Sequence, residues 1–253
     1  MINILKFKEG KMKSIYSILI VLILSISLGF TAQKKYEKDT FDTGDGKLTI
    51  TFIGHGTLMF DYKGMIIHID PVERYADYKK MPKADMIFIT HEHKDHLDKK
   101  AVSHILKKET KIIINKASYD ILKKGIVMKN GESQVENKIR IEAVPAYNTT
   151  KGREKIHPKS RDNGYILGIG NIRIYIAGDT EDIQEMMNIQ NIDIAFLPMN
   201  QPYTMTPKQV INAVKMFRPK VLYPYHYGDT DVSELSKLMK HIKYTELRIR
   251  DLK

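Results

Sequence analysis

The sequence predicts an α/β fold of two mixed β-sheets packed face to face, with helices on the outer faces. Three observations support it. Strands come as hairpins in some stretches and alternate with helices in others. Hydrophobic residues make up 42% of the 253 and charged residues 28%, ordinary values for a packed globular chain. No low-complexity tract and no repeat of 20–50 residues interrupts the pattern.

Residues 1–14 are basic and residues 15–32 carry no charge. Small residues (Gly29, Thr31, Ala32) precede the polar run from Gln33 to Asp39. This order reads as a secretory signal peptide, with an uncleaved membrane anchor as the competing reading. Either places the rest of the chain outside the cytoplasm. Residues 33–46, polar and carrying Gly44 and Gly46, read as a linker, and a single domain is expected over 47–253. The formal net charge is +11. The four lysines and one glutamate before residue 33 contribute +3 of it, so a chain starting at Gln33 would carry +8. The charges are spread thinly, which favours solubility over a dedicated polyanion surface.

From residue 47 the pattern is regular. Residues 47–52 alternate as a half-buried strand should, and 57–62 and 65–69 form a hairpin around Lys63-Gly64. Residues 85–89 are a short apolar run of buried-strand type. Helical spacing over 100–108, a strand at 111–114 and a helix at 117–124 follow. A strand over 139–144 should stop at Pro145, and 146–163 is a long polar stretch. Strands at 165–169 and 172–176, a helix at 181–189 and a strand at 192–197 come next. Thr206 followed by Pro207 predicts a helix start running to Phe217. A strand at 220–225, a helix at 231–242 and a strand at 245–250 complete the domain.

The chain has no cysteine, which excludes disulfides, a thiol nucleophile and any thiolate metal ligand. A metal site would have to use His, Asp, Glu or Asn. The segment Thr90-His91-Glu92-His93-Lys94-Asp95-His96 directly follows the buried strand 85–89. In extended chain His91 and His93 point to one side, because the strand period is two. As the chain turns, Asp95 and His96 can face a second point. Imidazole and carboxylate are ligands for Zn, Mn or Fe(II).

This segment resembles the HxHxDH motif of the metallo-β-lactamase-fold hydrolases, and the resemblance runs from about residue 47 to the end. Asp179, in Ile176-Ala177-Gly178-Asp179-Thr180, matches the family's later metal-binding Asp, and His226, in Tyr225-His226-Tyr227, its final His. The segments Gly54-His55-Gly56-Thr57 and Ile69-Asp70-Pro71 look like the branch that holds the ascorbate-phosphate lactonase-like and N-acylphosphatidylethanolamine phospholipase D-like enzymes. The resemblance implies a four-layer αββα sandwich and two divalent ions, zinc first with Mn or Fe as alternatives. His91 and His93 would bind the first ion. Asp95, His96 and His226 would bind the second, and Asp179 would bridge both. His93, where iron-oxygen reductases of this fold carry Glu, argues against a flavodiiron-type oxidase. The family's further His for the first ion is missing, because Asn148 stands there. His157 could swing in to replace it, or Asn148 could serve as a weak ligand.

The implied chemistry is hydrolysis by a hydroxide bridging the two ions, on an ester, lactone, amide or phosphodiester. Asp95 and Asp179 would position the hydroxide. His55 would protonate the leaving group, act beyond the ligands or serve a structural role. Asp70 would orient a ligand His or cap the turn at Pro71. His68, His104 and His241 are expected to be packing or surface residues, while Tyr147, Tyr203 and Tyr225 could line a pocket. Five basic residues within 147–163 suggest tolerance of an anionic small-molecule substrate, though a solvated loop explains them nearly as well. Two rivals stand beside this reading. A nuclease of the same fold lacks a basic patch interleaved with aromatics, so no nucleic acid partner is expected. A non-catalytic metal- or partner-binding protein on the same scaffold has Asn148 in its favour. A membrane partner follows only if the N-terminal segment stays uncleaved.

Overall fold

The computed structural model describes residues 35–253; the expected signal segment lies outside the described residues. Two seven-stranded mixed sheets form the body. The first runs β1 (Glu37–Asp42), β2 (Lys47–Gly54), β3 (Thr57–Tyr62), β4 (Met65–Ile69), β5 (Met86–Ile89), β6 (Lys111–Ile114) and β7 (Ile126–Val127), in that spatial order. The second holds β8 (Ser133–Glu136), β9 (Ile139–Ala146), β10 (Asp162–Ile169), β11 (Ile172–Ile176), β12 (Ile194–Pro198), β13 (Val221–Tyr225) and β14 (Glu246–Leu247), again in chain order across the sheet. Each half opens with antiparallel hairpins and closes with parallel strands: β1 to β4 and β8 to β11 are antiparallel, β4 to β7 and β11 to β14 parallel.

The inner faces meet in one core. Phe52 packs on Tyr223 with ring centroids 5.0 Å apart, and Phe88 meets Tyr165 edge-on at 5.3 Å. Aromatic pairs in these geometries add to simple area burial. On the outer face of the first sheet, Ile87, Ile89, Ile112 and Ile114 meet Ala101, Val102 and Ile105 of α1 (Lys99–Ile105). Helix α2 (Lys116–Leu122) follows β6. Outside the second sheet lie α3 (Pro207–Phe217) and α4 (Val232–Met239). Thr206 forms a capping box with Gln209 ahead of the expected proline.

The expected linker over 33–46 is in part a strand. β1 pairs along β2, and Asp39 takes two hydrogen bonds from the Arg250 guanidinium at 2.8 Å and one from the Tyr223 hydroxyl. Little apolar alternation marks it, because polar contacts to the far end of the chain hold it. The helix expected over 181–189 is a 3-10 helix, Gln184–Asn188. Ile183, Met186 and Ile189 are all buried, and their spacing of three matches the 3-10 period. β9 runs through Pro145 because its β8 partner ends at the Ser133–Glu142 pair, so no ladder bond is lost on that side.

The last strands of each sheet point their carboxyl ends at one rim. Thr90 to His96 follow β5, Ala177 to Asp179 follow β11 and His226 follows β13. Crevices outside the carboxyl ends of parallel strands are where α/β sheets collect ligands.

Candidate metal centre

The chain turns sharply after β5. The His93 carbonyl accepts from His96 N at 2.9 Å and from Leu97 N at 2.8 Å, and Asp98 caps α1. This turn carries Asp95 and His96 toward the side of His55 and His226, with the His96 ring still 4.1 Å from that of His91. Gly56 makes room for it, since a Cβ there would lie 2.7 Å from His96 Cε1. Gly178, at φ +66°, bends the chain so that Asp179 enters the same space. Asp70, His55 and His226 also sit at positive φ, in a left-handed conformation that costs roughly 1–2 kcal/mol for such residues. At these three positions the left-handed backbone turns side chains off strand ends into the rim.

Asp179 lies at the middle. One of its oxygens, Oδ2, is 3.4 Å from His157 Nε2, 3.4 Å from His226 Nε2 and 3.9 Å from His91 Nε2. The other, Oδ1, is 3.4 Å from His96 Nε2. His91, His93 and His157 form one group whose ligand atoms lie within 4.8 Å of one another. His55, Asp95, His96 and His226 form a second by the same measure, and His91, His96 and Asp179 link them. The structure therefore brings together every residue expected to hold metal. His157 is the third imidazole of the first group, while the Oδ1 of Asn148 is buried with no hydrogen-bond partner. Asn148 donates through Nδ2 to the Tyr203 carbonyl at 2.7 Å, and its backbone N–H reaches the His157 carbonyl at 2.9 Å.

The hydrogen bonds behind these rings set their tautomers. The Thr90 hydroxyl donates to Asp70 at 2.7 Å, so it must accept from His91 Nδ1 at 3.0 Å. Asp70 also takes His96 Nδ1–H at 2.8 Å, and Asp162 takes His157 Nδ1–H at 3.0 Å. In its neutral form each of the three rings then presents a bare Nε2 toward Asp179, and carboxylates behind ligand histidines are the usual way metal proteins orient them. Asp70 and Asp162 are fully buried. Asp162 was missed in the sequence, where it is one charge among many in a polar stretch.

Three buried polar atoms at the centre, His91 Nε2, His96 Nε2 and Asp179 Oδ1, have no hydrogen-bond partner. Leaving such atoms unsatisfied costs about 1–3 kcal/mol each. A divalent cation would satisfy all three, so the donor set fits the metal that the motif implies. The charges agree. Burial works against a charged His96, yet Asp179 and Asp70 outweigh it and push it up to about 10. Burial, then the neighbouring imidazoles, hold His91 well below the usual histidine range. Burial opposes a charged Asp95, but its close contacts with the His226 and His55 imidazoles keep it far below the usual carboxylate range.

The remaining candidates lie elsewhere. His68 is buried under Tyr78 and bonds the Pro82 carbonyl, His104 pairs with Glu73, and His241 is exposed. The Tyr147 hydroxyl bonds Glu185 and Lys159, Tyr225 is buried in β13, and Tyr203 is exposed at 47%. Of the five basic residues in the polar stretch, Arg153 pairs with Glu181, Lys159 with Glu185, and Arg161 with Asp162 and Glu92.

A sandwich of two mixed sheets with this His and Asp cluster at its rim defines a metal-dependent hydrolase of the metallo-β-lactamase fold. Residues 49–226 match the model of the Beta-lactamase superfamily domain, and the chain belongs to that family. It is 31% identical over 224 residues to a UPF0173 metal-dependent hydrolase of Koribacter versatilis, covering 79% of this chain and 95% of the relative. A UPF0173 metal-dependent hydrolase of Staphylothermus marinus is 30% identical over 226 residues, covering 79% and 94%. Among solved structures, one from Parabacteroides distasonis, named as a metal-dependent hydrolase, is 55% identical with a TM-score of 0.85, covering 87% of this chain and all of that one. A metallo hydrolase of the archaeon Ignicoccus hospitalis is 25% identical with a TM-score of 0.69, covering 81% and 95%.

Proposed function

We propose that the protein is an exported two-ion hydrolase that cleaves an ester, lactone, amide or phosphodiester bond in a small molecule. The observation that carries this reading is the position of Asp179 between two ligand groups, with one oxygen toward His157 and His226 and the other toward His96. His91, His93 and His157 would hold the first ion, and Asp95, His96 and His226 the second. A pair of divalent ions, zinc first, would supply hydroxide at neutral pH and polarise the attacked oxygen.

The chain's own residues do the positioning. Asp70 holds His96 directly and His91 through the Thr90 hydroxyl, so one buried carboxylate sets the tautomer of a ring in each group. Asp162 does the same for His157. Glu181 fixes the loop that brings His157 in, accepting from Thr149 N at 2.8 Å and Thr150 N at 2.7 Å. Asp95, partly open to solvent, lies on the side from which a substrate would arrive. With three of the nearby basic residues engaged in ion pairs, an anionic substrate gains little from that loop. Export rests on the basic, then apolar, then polar order of residues 1–39.

The test is hydrolysis of a panel of ester, lactone, amide and phosphodiester substrates, before and after chelation. Turnover of at least one class, lost with chelator and restored by Zn2+ or Mn2+, is expected. Turnover indifferent to chelator would refute the reading.

A further inference from the structure

We infer that His55 is a protein ligand of the second ion, through Nε2, and not a proton donor to the leaving group. The inference rests on the two-ion reading above. His55 Nδ1 lies 3.1 Å from the main-chain oxygen of Lys253, which can only accept, so Nδ1 carries the hydrogen. Nε2 faces Asp95 Oδ2 at 3.2 Å. The same oxygen is 3.4 Å from His226 Nε2 and 4.0 Å from His96 Nε2, and Asp70 takes the hydrogen on His96 Nδ1, which leaves Nε2 as the ring's ligand atom once an ion displaces its proton. Three imidazole nitrogens thus converge on one carboxylate oxygen. They cannot all be donors. One oxygen does not take three N–H groups from one side, and imidazolium rings with centroids 3.7 Å apart, as in His55 and His226, would repel. Bare nitrogens against a carboxylate repel as well, unless a cation lies among them. His55, Asp95, His96 and His226 are the largest group of possible ligands among the described residues.

The backbone holds His55 there. A register shift between Phe52 and Gly54 and a φ of 55° turn the side chain off the end of β2. Its carbonyl accepts from His226 N at 3.1 Å, and the Tyr75 ring stacks on the imidazole at 5.3 Å. The segment that supplies the Lys253 oxygen is tied down in turn, by Tyr227 to the Arg250 carbonyl and by Arg250 to Asp39. The second ion would then have His55, Asp95, His96 and His226 besides the shared Asp179, against His91, His93 and His157 for the first. The fuller shell is the structural kind, and the emptier one is the kind that leaves a position for substrate.

The full chain, labelled with 15N in histidine and loaded with 113Cd2+, tests this by the number of imidazole nitrogens split by cadmium. Six are expected, three on each of two 113Cd signals, and the His55→Gln variant removes one and weakens the second ion by at least about 100-fold. Five splittings with His55 unsplit overturn the inference and leave the two-ion reading intact. No splitting at all overturns both. The count in the unmutated protein decides even if the variant does not fold.

Discussion

The group around His91, His93 and His157 draws two of its rings from one tripeptide, with Thr90 and Asp162 behind two of the three rings. The group around Asp95, His96 and His226 gathers side chains from both sheets, and its buried His96 is flanked by Asp70 and Asp179. The first is a neutral set closed by a single recruited loop residue. The second concentrates negative charge and demands a cation more strongly. The two differ in what they need to fill them, although they share Asp179.

The change with the largest expected effect removes that shared point. Asp179→Ala should release both ions and lower turnover by more than about 100-fold, measured by metal content and hydrolysis rate together. Retention of both ions would mean the groups do not depend on a common carboxylate. Single-group variants sharpen the contrast. His96→Ala should leave only the first ion and His157→Ala only the second, whereas Asn148→Ala should leave the metal content unchanged. Loss of metal in the Asn148 variant with none in the His157 variant would reverse the assignment of the third position.

Behind the rings the effects are smaller. Asp162→Asn should weaken only the first ion, by about 10–100-fold, while Asp70→Asn should weaken both, since its hydrogen bonds reach His91 and His96. Isothermal titration of the apoprotein reads both outcomes. pH separates the groups further. His96 holds its proton up to about 10, so the second ion must displace it, and that affinity should rise about tenfold per pH unit between 7 and 9. His91 is already neutral there, so it adds no such slope to the first ion. Equal slopes for the two ions would contradict the charge difference.

The smallest effect lies away from the centre. Burial lowers His68 to about 4, well below the usual histidine value. A histidine held neutral in the folded state contributes stability above its unfolded value and loses it as pH falls toward the folded one. The loss should approach about 3 kcal/mol between pH 6.5 and 4. His68→Gln should flatten that limb of a melting-temperature profile, and an unchanged slope would place the acid sensitivity elsewhere.

Much of the centre was legible because His91, His93, Asp95 and His96 lie within six residues after a buried strand. Asp179 and His226 are single residues at strand ends, and only the resemblance to a family picked them out. His157 could be proposed because Asn148 stood in an expected place, but the backbone bond that brings the loop round is a tertiary contact no spacing encodes. Asp162 and the convergence of His55 on Asp95 depend on approaches between residues far apart in the chain or hidden among like charges. The strands with apolar alternation were readable for the same local reason. β1 and the 3-10 helix were not, since a polar clasp to Arg250 shapes one and a burial spacing of three the other.

The most direct measurement is the metal content of the purified full chain by elemental analysis, taken before and after dialysis against chelator and after return to Zn2+. About two equivalents per chain are expected when loaded, none after chelation, and two again on return. A loaded protein that never exceeds one equivalent, or takes up none, would contradict a centre built from two ligand groups on one aspartate.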